Sequence, residues 1–415
     1  MGARARLLLL LPSTTYRAAA FVEAARRLGG ALTVATDHRS VFAGAQPERL
    51  VTLDFARRDR AADQARAFAA AHPVAAVVGV DDETAVLASA IAAALGLAHN
   101  PLEATLAARD KHRQRVAMAW AGVSVPAFRL HRLEESPETV AAATAYPCVV
   151  KPLCLSASRG VIRADTPDEF VAAHAVLAEV LGDAGAAERA AEYLVEAFVP
   201  GPEVALEGLL EAGRLVPLAL FDKPDPLDGP FFEETIYVTP SRLPDEVQDG
   251  LVACAERAAA AIGLVTGPVH VELRHNRRGP WLIELGARPI GGRCSGALRF
   301  GSGRDTLSLE ELLLRHALGL AVPTTDREAT PAGVMMIPVP WPGVVRAVHG
   351  VDAAREVPGI EEVVITAHVG QRLVPPPRGA QYPGFIFARA ESPWLVETAL
   401  RRAHACLRFE MAAGD

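Results

Sequence analysis

The sequence contains few cysteines, and none of them stands in a CxxC pair. Its five cysteines are odd in number and scattered along the chain, at Cys148, Cys154, Cys254, Cys294 and Cys406. A disulfide framework or a structural zinc site needs paired or closely spaced cysteines, so neither is expected. This cysteine usage is typical of a protein from a reducing cytoplasm.

Long hydrophobic runs and an excess of basic residues are also missing. The apolar run Leu7–Leu11 ends at Pro12, which makes it too short for a signal-peptide core or a membrane span. We interpret it as a first β-strand and expect no membrane partner. The net charge of −7 argues against a nucleic-acid-binding surface, which would need a basic excess.

The pattern of apolar segments divides the 415 residues into three parts. In residues 1–100, short apolar runs alternate with helical stretches, which predicts an open, parallel, Rossmann-like α/β sheet. Residues 101–330 contain short strands joined by tight turns, together with strong helices. Residues 331–415 hold Val/Pro-rich strands and a final helix, and predict a separate antiparallel α+β module. A chain of this length is expected to form several subdomains.

The segment HVELRHNRRGPWLIELGARPIGG, residues 270–292, carries the strongest signature of a functional site. Its two short strands should form a hairpin that places Glu272 and Glu284 on one face. Two carboxylates at that distance repel each other unless a cation lies between them, and oxygen ligands suit Mg²⁺. Arg288 follows four residues later and is able to bind a phosphate or carboxylate in a bidentate manner. A hairpin whose charges merely face water is the alternative for this segment alone.

Two lysines and a loop of small residues precede that hairpin. Lys151 closes the apolar strand Cys148–Val150, where a buried ammonium group is costly without an anionic partner. The backbone N–H groups of Ser156–Gly160 are suited to cradling phosphate, although an ordinary hairpin turn fits this segment equally well. Lys111 lies at the start of a helix, where an exposed charge is the alternative.

A second pair of carboxylates lies around a Pro-Gly-Pro turn in YLVEAFVPGPEVALEGLL, residues 193–210. Glu196 ends one predicted strand and Glu203 begins the next. Carboxylates at strand ends can accept hydrogen bonds from an adenine amino group or from ribose hydroxyls. Exposed carboxylates on a strand surface are the alternative. This pair therefore indicates a binding site only in combination with the other motifs.

The order of these elements resembles the ATP-grasp superfamily. A helix lysine comes first, then the strand lysine with its loop, then the two glutamates around PGP, and finally the HVE…IELGARP hairpin. The resemblance covers roughly residues 5–410 and is most similar to the L-amino-acid ligases that make dipeptides, including carnosine-synthase-like relatives. It implies a pre-ATP-grasp domain over 1–100, an ATP-grasp domain over 101–330 with a small nucleotide lid at about 146–200, and an α+β lid module over 331–415.

The resemblance also implies roles for individual residues. For ATP it implies two binding lysines, Lys111 and Lys151, and a mobile phosphate loop, Ser156–Val161, with Ser156, Ser158 and Gly160. It also implies an adenine hinge of Glu196, Ala197 and Phe198. Glu203 is the implied ribose-binding carboxylate. Glu272 and Glu284 match the ligands of Mg²⁺, with Mn²⁺ as an alternative metal. Arg288, together with Lys151, matches the residues that assist phosphoryl transfer.

For the substrates, Glu234 matches an acidic residue near the amino group. Gly291, Gly292 and Arg293 are expected to line the pocket, with Arg293 or Arg299 as a carboxylate clamp or as a structural salt bridge. The implied activity is a two-step ligation in which ATP activates a carboxylate as an acyl phosphate and an amine displaces phosphate. The expected partners are small acids and amines, and a homodimer is compatible with the resemblance.

The sequence departs from the superfamily at two positions. Many members continue Glu-x-Asn after the second metal carboxylate, but Gly286 stands at the Asn position, which leaves two protein carboxylates for the metal. The phosphate loop has one glycine, Gly160, where biotin carboxylases have several, which disfavours a carboxylase. A carboxylase, a purine-pathway ligase and a catalytically silent ATP-binding protein stay as alternatives.

Overall fold

A computed structural model of the chain describes residues 5–13, 15, 17–38, 46–183, 191–303 and 306–413. The first and last residues of the predicted outer domains therefore lie outside the described residues. Among the described residues, no helix combines the length and the apolar character that a membrane crossing requires.

The N-terminal part forms the parallel sheet that the strand–helix alternation predicts. Its strands pair in the order β3-β2-β1-β4, and every pairing is parallel. The elements are β1 (Arg6–Leu10), α1 (Ala18–Leu28), β2 (Ala31–Thr36), β3 (Leu50–Thr52), α2 (Arg58–Ala71), β4 (Ala76–Gly79) and α3 (Asp82–Ala94). Leu8 and Leu10 pack on one face of the sheet, and Leu7 and Leu9 on the other, as the period of two in a strand requires.

Two helices and a small antiparallel sheet follow. The sheet has the strand order β5-β8-β6-β7 and is covered by α7. The elements are α4 (Leu102–Arg109), α5 (Lys111–Trp120), β5 (Phe128–Arg132), α6 (Pro137–Ala142), β6 (Cys148–Pro152), β7 (Ile162–Ala164), α7 (Pro167–Asp183) and β8 (Glu192–Ala197).

An eight-stranded sheet with the order β13-β12-β9-β10-β11-β16-β20-β18 forms the centre of the molecule. Its first elements are β9 (Glu203–Glu211), β10 (Arg214–Asp222), β11 (Ile236–Thr239), α8 (Asp245–Ile262), β12 (Gly267–Asn276), β13 (Gly279–Gly286), a 3₁₀ turn (Cys294–Ala297), β14 (Arg299–Phe300), β15 (Leu307–Ser308), α9 (Leu309–Ala317) and β16 (Ala332–Met336). Strand β9 is buried on both faces: Leu206 and Leu210 pack against α8, and Ala205 and Leu209 against the opposite core.

The C-terminal elements are β17 (Gly343–His349), α10 (Val351–Arg355), β18 (Ile360–Ile365), β19 (Arg372–Leu373), β20 (Gly384–Arg389), α11 (Pro393–Cys406) and β21 (Arg408–Ala412). They are antiparallel, as predicted, but the expectation of a separate module needs correction. Strands β16, β20 and β18 extend the central sheet through β11, and only β19-β17-β21 form a sheet of their own. The domain bounds themselves stay a prediction.

Candidate active site

Alternation along the central strands gathers polar side chains on one face of the sheet. In β12, every second residue from 270 to 274 points to this face, namely His270, Glu272 and Arg274. Their partners on β9 are Glu207, Ala205 and Glu203, respectively. On the other side of β12, Glu272 lies directly opposite Glu284 of β13. The prediction that Glu272 and Glu284 face the same way on neighbouring strands is therefore confirmed.

A cavity of about 850 Å³ lies over this face. The N-terminal sheet, the small sheet, the central sheet and the C-terminal segment all contribute to its walls. Of the residues singled out from the sequence, the cavity brings together Lys111, Lys151, Ser156, Ser158, Glu196, Ala197, Phe198, Glu203, Glu234, Glu272, Glu284, Arg288, Gly291 and Gly292. Gly160 and Arg293 are not part of its lining.

Lys151 and Glu196 form a buried ion pair in which a third residue takes part. Lys151 Nζ lies 2.6 Å from one oxygen of Glu196, and Arg115 Nε donates to the other oxygen at 2.7 Å. Arg115 is fully buried, one helical turn after Lys111 on α5. The carboxylate of Glu196 is thus held by two cations. The N–H groups of the hinge residues Ala197 and Phe198 donate to the carbonyls of Ala127 and Pro147.

Lys111, the first residue of α5, links this helix to the carboxylate pair Glu272 and Glu284. Its ammonium group lies 3.0 Å from Glu284 and donates to the Leu155 carbonyl at 2.8 Å, beside the phosphate loop. Although burial acts to lower the pKa of Lys111, the nearby carboxylates of Glu284 and Asp82 raise it above its usual value. Lys111 is therefore a permanent positive charge at the site, not the exposed helix charge that the sequence also allowed.

Lys223, which the sequence reasoning missed, lies at the centre of three carboxylates. Its ammonium group is 2.8 Å from Glu203, 2.6 Å from Glu234 and 3.0 Å from Glu272. Oxygens of these glutamates all lie within 4.8 Å of one another, a spacing that suits a cation. Burial and the proximity of Glu272 raise the pKa of Glu234 to about 7, even though Lys223 opposes this.

Composition contained a signal for Lys223. The whole chain has only three lysines, Lys111, Lys151 and Lys223, against 39 arginines among its 42 basic residues. All three lysines are buried at this one site. A lysine is a compact ammonium charge whereas arginine is a planar fork, so the two are not interchangeable at a tight site. The scarcity of lysine elsewhere therefore marks positions where an ammonium group is needed.

His270 and Glu207 form a buried layer beneath Glu272. His270 lies 3.7 Å from Glu272 and 3.6 Å from Glu207, which is fully buried. Glu207 accepts a hydrogen bond from the backbone N–H of Ile290 at 3.0 Å. Although burial acts to lower the pKa of His270, the two carboxylates raise it. The layer ties β9 and β12 to the loop that follows Arg288.

Arg288 pairs with a carboxylate from the N-terminal sheet. Its Nε donates to both oxygens of Asp82, at 3.1 and 3.2 Å. Asp81 caps α3, where it accepts from the N–H of Thr84 at 2.8 Å. Asp81 and Asp82 both line the cavity, and it is Asp82 that pairs with Arg288.

In the loop Ser156–Gly160, Ala157 and Ser158 adopt left-handed φ values of 55° and 53°. The N–H groups of Arg159 and Val161 donate to the carbonyls of Ser156 and Ser158 and close turns within the loop. Gly160 packs away from the cavity, since a Cβ there would lie 3.2 Å from Leu177 of α7. The N–H of Gly160 donates to the carbonyl of Pro377 at 2.8 Å, which links the loop to the C-terminal segment.

Two arginines do not reach the cavity. The guanidinium group of Arg293 lies 5.7 Å from the ring centres of Phe385 and Phe387, so the expectation that it lines the pocket is wrong. Arg299 pairs with Glu361 at 3.1 Å, which is the structural salt bridge that the sequence left as one alternative. The partners of both side chains lie on the C-terminal strands, Phe385 and Phe387 on β20 and Glu361 on β18.

Comparison with known proteins agrees with this geometry. Family models described as ATP-grasp N-terminal domain, ATP-grasp domain and L-amino acid ligase C-terminal domain 2 match residues 22–99, 144–297 and 335–412. A solved L-amino acid ligase from Bacillus licheniformis superposes with a TM-score of 0.77 at 25% identity and covers 99% of this chain and 100% of its own.

Two curated relatives are similar over part of their length. The uncharacterized protein y4rH of Sinorhizobium fredii is 27% identical over 71% of this chain and 59% of its own length. Alanine–anticapsin ligase of Bacillus subtilis is 31% identical over 48% of this chain and 44% of its own. The chain thus spans about half the length of the curated relatives it matches. By its domains and its fold, this chain is an ATP-grasp protein with the C-terminal domain of the L-amino acid ligases.

Proposed function

We propose that this chain is an ATP-dependent carboxylate–amine ligase that joins an amino acid to a second amino acid or another small acid. The products would be an amide, ADP and phosphate. The observation that carries this proposal is the opposed pair Glu272 and Glu284, in a cavity that Lys111, Lys151 and Arg288 also line. A third lysine, Lys223, contacts Glu272. A cavity of about 850 Å³ is within the usual range for small-molecule sites.

The residues present fit a magnesium ion. Glu272 and Glu284 offer the oxygen ligands that Mg²⁺ prefers, and phosphate oxygens with water would complete the coordination. When bound, Mg²⁺ would neutralise developing charge on the phosphates. Lys111 contacts Glu284 and Lys223 contacts Glu272, so a lysine balances the charge of each carboxylate. The same ammonium groups would offer positive charge to phosphate oxygens beside a bound metal.

ATP would lie between the small sheet and the central sheet. We assign Lys111 and Lys151 to its phosphates, Ser156–Val161 to the triphosphate lid, Glu196, Ala197 and Phe198 to the adenine hinge, and Glu203 to the ribose. Because the carboxylate of Glu196 contacts Lys151 and Arg115, it would act mainly by positioning Lys151.

The chemistry consists of two displacements. A carboxylate oxygen of the acid substrate attacks the γ-phosphorus, the bond to ADP breaks, and an acyl phosphate forms. The amine then attacks the carbonyl carbon, and phosphate leaves with the oxygen that came from the acid. Both steps depend on positioning and on positive charge more than on a protein nucleophile. Arg288 with Lys151 would stabilise the transferred phosphoryl group, and Glu234 would hold the ammonium group of an amino-acid substrate.

A catalytically silent ATP-binding protein is the rival from another class. That reading predicts the loss of a carboxylate, lysine or arginine from the set, and every member is present in the cavity region. A carboxylase or a purine-pathway ligase is not favoured, because the C-terminal segment matches an L-amino acid ligase domain.

The experiment is to incubate the pure protein with ATP, Mg²⁺ and a grid of amino-acid pairs. Phosphate release and product mass are followed, with Glu284→Gln as the inactive control. We expect ADP, phosphate and a new amide in equal amounts for at least one pair. AMP and pyrophosphate as products would contradict the mechanism, and the absence of turnover with every pair would favour the silent binder.

A further inference from the structure

The turn between β4 and α3 fixes Asp82 at the carboxyl edge of the parallel sheet. The turn is tight, because a Cβ at Gly79 would lie 2.2 Å from the carbonyl oxygen of Thr84. The Thr84 hydroxyl accepts from the N–H groups of Val80 and Asp81, and the Asp81 carboxylate caps α3. Both aspartates line the cavity, but the Asp81 carboxylate is bonded within the turn, whereas the next carboxylate, Asp82, pairs with Arg288.

Asp82 contacts Arg288 across a sequence separation of 206 residues. Both carboxylate oxygens lie 3.1–3.2 Å from Nε, and the two side chains are 25% and 15% exposed. Arg288 also donates from Nη1 to the carbonyl of Pro289, the next residue, at 3.2 Å. Two separate contacts on one guanidinium group define the direction in which its plane faces.

Gly286 creates the space for this pair. A Cβ at position 286 would lie 3.1 Å from Oδ1 of Asp82 and 3.3 Å from both Cγ and Nε of Arg288. A longer side chain at 286 would therefore extend into the volume that the Asp82 carboxylate occupies. The sequence left Gly286 as a missing metal ligand, whereas the structure shows an N-terminal carboxylate beside the vacant position.

We propose that Asp82, from the N-terminal domain, is a positioning residue that holds Arg288 in its working orientation. The Asp82 carboxylate occupies the space that is free because residue 286 is a glycine. This inference rests on the proposed function, in which Arg288 meets the transferred phosphoryl group. A guanidinium group binds phosphate through a planar fork, so its orientation matters as much as its charge. A small misplacement of such a group costs up to about 100-fold in rate.

The test compares Asp82→Asn with Glu83→Gln in the full-length enzyme. Glu83 is the next residue, carries the same charge, and pairs with Arg109 on the surface with 78% of its side chain exposed. Asp82→Asn should lower kcat about 10- to 100-fold with the KM for ATP changed by less than about threefold. Glu83→Gln should leave both constants within about twofold of the parent. Equal kinetics for the two variants would overturn the proposal.

The substitution Gly286→Asn tests whether the Asp82 carboxylate and a side chain at position 286 compete for the same space. In the parent background this substitution should lower kcat, because the new side chain meets Asp82 and Arg288. In the Asp82→Ala background the same substitution should lower kcat by a smaller factor, because only its contact with Arg288 remains. If the two losses simply multiply, positions 82 and 286 act independently and the proposal is wrong.

A measurement without turnover separates this inference from the proposed function. Arg288→Gln should shift the urea midpoint in the parent background but not in the Asp82→Asn background, since the pair is already broken there. Equal shifts in both backgrounds would overturn the pair itself. A parent enzyme with coupled midpoints but no ligase activity would instead contradict the proposed function.

Discussion

Lys151 Nζ lies 2.6 Å from Oε2 of Glu196, and both side chains are at most 5% exposed. Arg115 occupies the second oxygen of the same carboxylate, so two cations share one anion. Burial, together with the positive charges of Arg115 and Lys111, lowers the pKa of Lys151 to about 8, although Glu196 opposes this. One of the two lysines assigned to ATP therefore titrates close to neutral pH.

The affinity for ATP should accordingly depend on pH. Lys151 loses its charge as pH rises through about 8, so the affinity should fall about tenfold between pH 7 and pH 9. Titration calorimetry at the two values measures this, and Lys151→Met is the control that should bind weakly at both. A parent affinity that does not change with pH would contradict the assignment.

Lys151 should also make the stability of the fold depend on pH, but the stability should rise with pH whereas the affinity for ATP falls. Its folded-state pKa of about 8 lies below the ordinary 10.5, so the unfolded chain binds more protons between these values. The free energy of unfolding should therefore gain a contribution from Lys151 as pH rises from 8 to 10.5. Urea unfolding of the parent and of Lys151→Met across this window would show it as a difference in slope. Equal slopes would mean that the pKa is not lowered.

Replacing Lys223 by Met should destabilise the fold, since three buried carboxylates lose their shared cation. Breaking a buried ion pair costs about 3–5 kcal/mol, whereas removing Arg26 from its exposed pair with Glu23 should change the stability very little. The loss should be smaller at pH 5.5 than at pH 8, because Glu234, with a pKa of about 7, is neutral at the lower value. Urea unfolding of both variants at the two pH values measures this. A Lys223→Met variant no less stable than Arg26→Gln would contradict the cluster.

Gly292→Ala should impair the substrate end of the cavity. The added Cβ would lie 2.1 Å from Sδ of Met336, at a left-handed φ of 58° that disfavours alanine. We expect a loss of about 1–2 kcal/mol in stability and a higher KM for the amino-acid substrates. Met336→Ala in the same chain should relieve the contact part of the stability loss but not the backbone part. A double variant with no improvement would place the whole effect in the backbone.

The hairpin that holds Glu272 and Glu284 was predictable because it is local. The turn fixes the register as far as Leu273 and Leu282, and that register alone would place Ile283 opposite Glu272. An irregularity between Glu272 and Leu273 brings Glu284 there instead, and the local pattern of the sequence did not predict this irregularity. The alternation of strands and helices likewise predicted that the N-terminal sheet is parallel, although not the order of its strands.

Contacts between distant segments were not predictable in this way. Arg115 meets Glu196 across 81 residues, and Lys223 meets Glu272 across 49. Nothing in the neighbourhood of these residues shows which carboxylate each cation will reach. Strand β16 likewise pairs with β11 because both expose an unpaired edge, a relation that appears only after folding. The low number of lysines is a signal of the whole composition, and it marks Lys223 as unusual without showing its partners.

The central claim is that the acid substrate is activated as an acyl phosphate in this cavity. The most direct measurement uses an amino acid whose carboxylate is labelled with ¹⁸O, together with ATP, Mg²⁺ and an amine that gives turnover. Mass spectrometry of the released phosphate should find one ¹⁸O per phosphate formed, since the oxygen that attacked the γ-phosphorus leaves with it. Unlabelled phosphate, or label in AMP, would contradict the account.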